Sequence, residues 1–383
     1  MSASVSTAQV LERFLPDYRA ARQLSPQQAK VLTNIDCCRT PVLGGQTLVC
    51  GHCGYSQERF HSCRNRHCPQ CQKTASADWL ARRREDILPV PYYHLVFTLP
   101  HALNGWVQLH PEVIYSLLFK AVSTTLKQFG RDPRRLNGEV GMTLVLHTWG
   151  QNLSQHVHLH CLIPGGALAE GGEDWHAARS TYLFPVKALS RCYRGHMVRL
   201  LRQAWNRRLL NRIDHPNQVD DILDCVMSKP WVVFAKPTSQ HTDQVLIYLS
   251  RYTYRIAISD RRLVSMDDQG IYFRWKNYRA GGQQQTMSLT GEEFIRRWLL
   301  HVLPHGLMRI RHYGFLANCH RRTKLEQIRS CLASSAEVEQ SEPVGTASTE
   351  HPTTPQIGYC PRCHETCLQV VGEIEPRRRR PAA

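Results

Sequence analysis

From Gln155 to Gly166 the chain runs Gln-His-Val-His-Leu-His-Cys-Leu-Ile-Pro-Gly-Gly, with histidine and apolar positions alternating until a Pro-Gly-Gly turn closes the run. Alternation of period two with aliphatic partners predicts a strand, because successive strand side chains point to opposite faces. His156, His158 and His160 then share one face, and Val157, Leu159 and Cys161 pack beneath the other. Same-face neighbours on a strand stand about 6.5–7 Å apart, close enough for two imidazoles to hold one ion. The spacing also fits the polar face of an exposed sheet, so a metal site is the stronger of two readings. Residues 140–149 predict a partner strand, joined through a polar turn at Gln151-Asn152 into an antiparallel pair.

Elsewhere the pattern is mixed. Residues 7–21 carry a helical stripe of Val10, Leu11, Phe14, Leu15 and Tyr18, interrupted at Pro16. Ser25, Pro26 and Gln28 together form a helix start, with cap, first-turn proline and reciprocal glutamine. A β-rich run bounded by prolines (91–100), an amphipathic helix (112–129) and a long basic helix (187–213) follow. Further strands are expected at 231–235 and 271–276, and a helix at 292–300. Residues 243–258 read as helix through Tyr252 and as strand beyond Tyr254. Tyr248 and Tyr252 stand four apart, which stacks them on one helical face beside Arg251 and Arg255. Such tyrosines are more often packing residues than nucleophiles. The fold class expected is α+β, an antiparallel sheet carrying the histidines centrally and flanked by helices.

Charge narrows the partners. In 383 residues, 48 lysines and arginines face 31 acids, a formal +17, which points to a polyanion and first to nucleic acid. No run approaches the ~20 apolar residues of a membrane span, and residues 1–9 lack a basic-then-apolar leader, so a cytoplasmic, reducing setting is expected. Fifteen cysteines in that setting read as metal ligands.

Two Cys-x-x-Cys knuckles, Cys50/Cys53 and Cys68/Cys71, predict one tetrahedral four-cysteine structural Zn2+ site. Cys63, His67, His61, Cys37 and Cys38 are spare ligands that could substitute for a member of that site or build a second one. Arg64 and Arg66 beside it, Arg251 and Arg255 beside the tyrosines, and Arg311 and Arg321 in an aromatic-rich stretch are candidate DNA contacts. Residues 334–355 are rich in Ser, Thr, Glu and Pro and read as a flexible linker. Beyond it, Cys360 and Cys363 form half of a second zinc site, with Cys367, Cys331, Cys319 or His364 as possible partners. The arginines at 377–380 make a basic tail.

Histidine strand and tyrosine helix make chemical sense together. An imidazole-held divalent ion polarises a phosphodiester, and a phenolate attacks its phosphorus. An unperturbed phenol is only about 0.1% ionised at pH 7, so it needs activation by metal or guanidinium.

At this point the chain resembles the HUH (histidine-hydrophobic-histidine) two-tyrosine rolling-circle transposases of bacterial insertion sequences, of the insertion-sequence ninety-one type. The resemblance rests on Cys38-Arg39-Thr40, on the stretch 62–71 from Ser62 to Cys71, and on His94-Leu95-Val96-Phe97-Thr98-Leu99-Pro100. It continues through His158-Leu159-His160-Cys161, Tyr248-Leu249-Ser250-Arg251-Tyr252, His301-Val302-Leu303-Pro304 and Arg311-His312-Tyr313-Gly314. It implies His158 and His160 as the metal pair, with Mg2+ or Mn2+, and Tyr248 and Tyr252 as nucleophiles. It implies single-stranded DNA cleavage at the ends of a mobile element, through a 5′-phosphotyrosine with a free 3′-OH, in a bacterial, nucleoid-associated protein. His156 and Gln244 are the candidates for a third ligand. Tyr254 departs from the family, where many relatives carry His, and is left off the nucleophile pair.

The organisation expected is a helical arm (1–36), a zinc-binding domain of ribbon type (37–90), an HUH catalytic domain (91–332), the linker (333–356) and a C-terminal knuckle with basic tail (357–383). A plasmid rolling-circle replication initiator or relaxase shares the chemistry. A non-catalytic zinc-dependent DNA-binding protein is the reading from another class.

Overall fold

The protein is represented by a computed structural model that describes residues 5–72, 82–178, 183–213, 215–238, 245, 257–336 and 358–377. Helix α1 (Thr7–Ala21) opens on Ser6 in a capping box with Gln9, and α2 (Pro26–Asp36) opens on Ser25 in another with Gln28. Pro16 does not interrupt α1, contrary to expectation. It sits on the exposed side of the helix, where the missing hydrogen bond is tolerated while Leu11, Leu15 and Tyr18 stay buried.

A hairpin of β1 (Gly45–Cys50) and β2 (Ser56–Phe60) follows. Then come β3 (Tyr92–Thr98), α3 (Asn104–Leu109), α4 (Pro111–Arg131), β4 (Met142–Trp149) and β5 (Gln155–Pro164). Short strands β6 (Gly166–Leu168) and β7 (Trp175–Ala177) form in the glycine-rich excursion. Helix α5 (Val186–Asn206) ends before the 213 expected. The chain tightens there through Arg208, whose N–H turns back to the Trp205 carbonyl at positive φ, and a separate α6 (Pro216–Ser228) starts on Pro216. Strand β8 (Val233–Pro237), the meander β9 (Leu263–Met266), β10 (Ile271–Asn277) and β11 (Gln283–Leu289), helix α7 (Gly291–Leu299), strand β12 (Ile310–Tyr313) and helix α8 (Arg321–Ala336) complete the middle. Strand β13 (Leu368–Ile374) closes the chain.

The main sheet has the order β12-β4-β5-β3-β8 and is antiparallel throughout, so β5 is its central strand. One face buries Tyr93, Leu95 and Phe97 of β3, Leu144 and Leu146 of β4, and Val157, Leu159 and Cys161 of β5. Against them pack Leu118, Phe119 and Val122 of α4 and Leu189, Tyr193 and Met197 of α5. This is the α+β architecture expected from the alternation. Truncating Leu159, fully buried at its centre, to alanine costs about 2–5 kcal/mol. The opposite face is left for the histidines.

A second core joins α1, α2 and α7 to the β9-β10-β11 sheet through Val10, Leu32, Phe273 and Phe294. The approach of α1 to α7 needs Gly291: a Cβ there would fall 2.2 Å from Phe14. A third sheet, β13-β1-β2, brings the last strand of the chain to the first hairpin. Among the described residues no helix is long and apolar enough to cross a membrane.

Candidate metal centres

Strand pleating puts Thr143, Val145 and His147 of β4 on the face opposite the helical core. His158, His160 and Leu162 of β5 and His94 and Val96 of β3 share it. Across the hairpin His147 lies directly opposite His158. Three imidazoles therefore converge: ligand nitrogens of His147, His158 and His160 all lie within 4.8 Å of one another. His147 was not anticipated from the sequence, where His156 and Gln244 stood as third-ligand candidates. His156 is next along the strand, but its Nδ1 faces His101 Nε2 at 3.3 Å, outside the three-histidine group. Gln244, with Tyr248, Tyr252, Arg251 and Arg255, lies outside the described residues.

The hydrogen bonds around the group present lone pairs inward. His158 Nδ1 donates to the His156 carbonyl at 2.8 Å, which leaves its Nε2 as an acceptor. His160 Nδ1 meets His94 Nε2 at 2.8 Å. Burial, with Lys236 nearby, lowers His94 to about 4, so it is neutral and able to accept that proton. With His160 protonated on Nδ1, its Nε2 faces His158 Nε2 at 3.1 Å, lone pair to lone pair. Two nitrogens each about 2.1 Å from a common ion at a right angle lie about 3 Å apart, so the donor set fits a shared cation. Trp149 stacks on His147 at 4.6 Å between ring centroids and covers one side of the site.

At the Leu162 end of the same face, Asp86 is bonded to Arg83 at 2.6 Å and to Arg321 at 3.1 Å. Arg83 also reaches His312 at 3.3 Å, and His312 reaches the Thr143 hydroxyl at 2.9 Å. These residues, Tyr92 and Leu162 line a cavity of about 30 Å³ that carries two guanidiniums for one carboxylate.

The cysteines do not form the single site expected. Cys68 and Cys71 gather with Cys38 and Cys63, whereas Cys50 and Cys53 gather with Cys360 and Cys363. The hairpin explains the separation. Cys50 and Cys53 sit at its turn, while Cys63, Cys68 and Cys71 follow the far end of β2, where Phe60 pairs with Gly45. Five or six strand residues set the two ends about 15–20 Å apart.

In the first cluster Cys38–Cys71, Cys63–Cys71 and Cys38–Cys68 sulfur separations are each 3.6 Å. Tetrahedral zinc at about 2.3 Å from each sulfur requires about 3.8 Å, so the donors fit. A bond from the Cys63 thiol holds Cys68 down at about 5, and burial pushes Cys38 up to about 12. His67 is not a donor here: its Nε2 accepts the Leu303 N–H at 3.3 Å, and burial lowers it to about 3. Cys319 and Cys331, named as partners for Cys360, lie elsewhere, against His320 and Gly172.

Of the arginines assigned to DNA, Arg64 is exposed. Arg66 is turned inward, donating to the Pro304 carbonyl at 2.6 Å and to that of Leu307, which docks the cysteine unit on the turn after α7. Arg311 lies over the Phe119 ring at 4.2 Å and Arg321 is held by Asp86, so both have partners within the protein.

Residues 10–99 match the family described as a transposase zinc-binding domain, and residues 141–324 match one described as "Putative transposase". The first segment contains both N-terminal cysteine knuckles and His94; the second runs from β4 into the start of α8 and contains the three converging histidines. The "Putative transposase y4qJ" of Sinorhizobium fredii is 42% identical over 94% of this chain and 92% of its own length. The transposase for insertion sequence element IS801 of Pseudomonas savastanoi pv. phaseolicola is 26% identical over 76% of this chain and 70% of its own. No solved structure matches the chain.

Proposed function

This chain belongs to the transposases of the insertion-sequence ninety-one type, and on that premise we propose that it cuts and rejoins single-stranded DNA at the ends of its element by rolling-circle transposition. The observation that carries this reading is the convergence of His147 of β4 with His158 and His160 of the central strand β5 on one face of the main sheet. Mg2+ or Mn2+ held there would draw charge from the scissile phosphate; the all-nitrogen donor set favours Mn2+, since Mg2+ prefers oxygen.

The chain's own residues do the rest. The Tyr248 or Tyr252 phenolate attacks phosphorus, a Tyr Oη–P bond forms and the P–O3′ bond breaks. The departing 3′ oxygen takes a proton to become a free hydroxyl. One ester replaces another, so the intermediate keeps the energy needed for a second 3′-OH to reverse the step at a new strand. Two tyrosines allow two such transfers without release of DNA.

Val245 supports the placement of this chemistry: it is fully buried in one cluster with Leu162, on the histidine face. Leu162 stands about 6.5–7 Å along β5 from His160. Arg83 and Arg321 share the single carboxylate of Asp86 beside Leu162, and the one positive charge left over would favour flanking phosphates.

Incubation with labelled single-stranded oligonucleotides from the element ends and Mn2+ tests the reading. A covalent protein–DNA adduct is expected, lost in the double Tyr248→Phe, Tyr252→Phe variant. An adduct formed equally well by the double variant would refute the nucleophiles, and no adduct with wild type would favour the non-catalytic DNA-binding reading.

A further inference from the structure

The second cysteine cluster reaches beyond the segment matched as zinc-binding, because Cys360 and Cys363 lie far outside residues 10–99. We propose that Cys50, Cys53, Cys360 and Cys363 bind a second structural zinc, which clasps the C-terminal segment onto the N-terminal hairpin.

Donor geometry is the first support. The four sulfurs lie within 4.8 Å of one another, with Cys50–Cys363 and Cys53–Cys360 both at 3.6 Å. Tetrahedral zinc requires about 3.8 Å.

The two turns are also built alike. In the first, the Gly54 N–H donates to the Cys50 carbonyl at 3.0 Å and the Cys50 N–H to the Tyr55 carbonyl at 2.8 Å. In the second, the His364 N–H donates to the Cys360 carbonyl and the Cys360 N–H to the Glu365 carbonyl, both at 2.9 Å. Each turn closes on a residue in the left-handed region, Gly54 at φ +68 and His364 at φ +62. Glycine adopts that conformation freely, whereas histidine is strained by it. Strain held at the equivalent position of a matching turn marks a geometry that aims two thiols at one point. The Cys53 N–H donates to Cys50 Sγ at 3.4 Å, which stabilises a thiolate there.

The backbone is prepared for the same union. Strand β13 pairs with β1 along its whole length, from Gly45 opposite Ile374 to Cys50 opposite Leu368. Gly44, at φ +68, admits the Ile374 carbonyl, which a Cβ would meet at 2.6 Å. The apolar core beneath is small: Leu48 and Leu368 with Cys50 and Cys360. Cys53 and Cys360 are 307 residues apart in sequence, and ordering a segment so distant costs conformational entropy, against which a four-thiolate zinc site adds a large contribution to that of this small core. Cys367, its sulfur 3.1 Å from that of Cys50, stands outside the four-donor group. The clasp also fixes where the arginine tail begins, since the Arg377 N–H donates to the Pro41 carbonyl at 3.3 Å.

Zinc content of the full chain is the first test. The double Cys360→Ser, Cys363→Ser variant should hold one zinc fewer than wild type, and Cys367→Ser should hold as many as wild type. The second test leaves every cysteine in place: a site-specific protease sequence is inserted after Gly345 and cut. The C-terminal piece should co-elute with the rest of the chain and part from it when a zinc chelator is added. Unchanged zinc content in the double variant, or separation of the pieces with zinc present, would overturn the clasp.

Discussion

The three-histidine face and the two cysteine clusters both gather metal donors, but they hold them in opposite ways. His147, His158 and His160 come from adjacent strands of one hairpin, 13 positions apart at most by sequence number (160 less 147), on a sheet whose reverse side is a large apolar core. Their arrangement is fixed by strand pleating and needs no ion to persist. Cys38, Cys68 and Cys71 join the core of α1, α2 and α7, whereas the set that spans nearly the whole chain comes from segments with little apolar burial. There the ion substitutes for the missing core. In the function proposed, the metal of the chemistry would sit on a scaffold that folds without it, and the structural metal where the scaffold is thin.

The largest effect expected follows from that contrast. Stripping zinc should unfold the cysteine units, because structural zinc contributes roughly 10–16 kcal/mol to such modules. Hydrogen-exchange protection should vanish in residues 45–60 and 368–374 and persist in 92–98 and 142–164. Cys68→Ser should act the same way on the first cluster. Uniform loss across the main sheet would erase the distinction.

The histidines should behave in reverse. Alanine at His158 should reduce adduct formation by at least about 100-fold, since a first ligand matters more than an orienting partner worth about 10–100-fold. Its melting temperature should stay within a few degrees of wild type. His94→Leu tests the orienting partner itself: metal affinity should fall about 10–100-fold, and His94→Gln, which still accepts a proton from His160, should recover much of it.

A smaller, pH-linked effect separates a structural histidine from the metal face. His301 is buried, its Nε2–H bonded to the Leu153 carbonyl at 3.0 Å and its Nδ1 to the Thr148 hydroxyl at 3.2 Å, and burial lowers it to about 4. Between pH 6.5 and about 4 the unfolded chain binds the proton and the folded one does not. Its stability contribution is therefore full above pH 6.5 and lost on acidification, by on the order of 2–3 kcal/mol. Denaturant midpoints across that range should show this slope, flattened in His301→Gln.

What the sequence disclosed was what local periodicity encodes. Alternation placed His158 and His160 on one face, and the fold put Val157, Leu159 and Cys161 on the other. His147 escaped because it depends on hairpin register: a slip of one residue changes its face, and an irregularity between His147 and Trp149 shifts the pairing near the turn. Counting back from a turn centred on Gln151-Asn152 sets His147 opposite His156, already on the histidine face; the register of the hairpin places it two residues further on, opposite His158. The cysteine pairing was less legible still. Spacing suggested that Cys50/Cys53 should join Cys68/Cys71, but β1 and β2 hold the knuckles at opposite ends of a hairpin, and the true neighbours of Cys50 and Cys53 lie more than 300 residues away. Arg66 read as a phosphate contact because its charge is visible in sequence and the Pro304 and Leu307 carbonyls that capture it are not.

The most direct test is Mn2+-dependent adduct formation by His147→Ala, measured beside wild type on the same single-stranded element end. The result expected is a loss of at least about 100-fold with an unchanged unfolding transition, as befits a third ligand on a preformed face. Adduct formation at the wild-type rate would contradict it and return the third position to another residue.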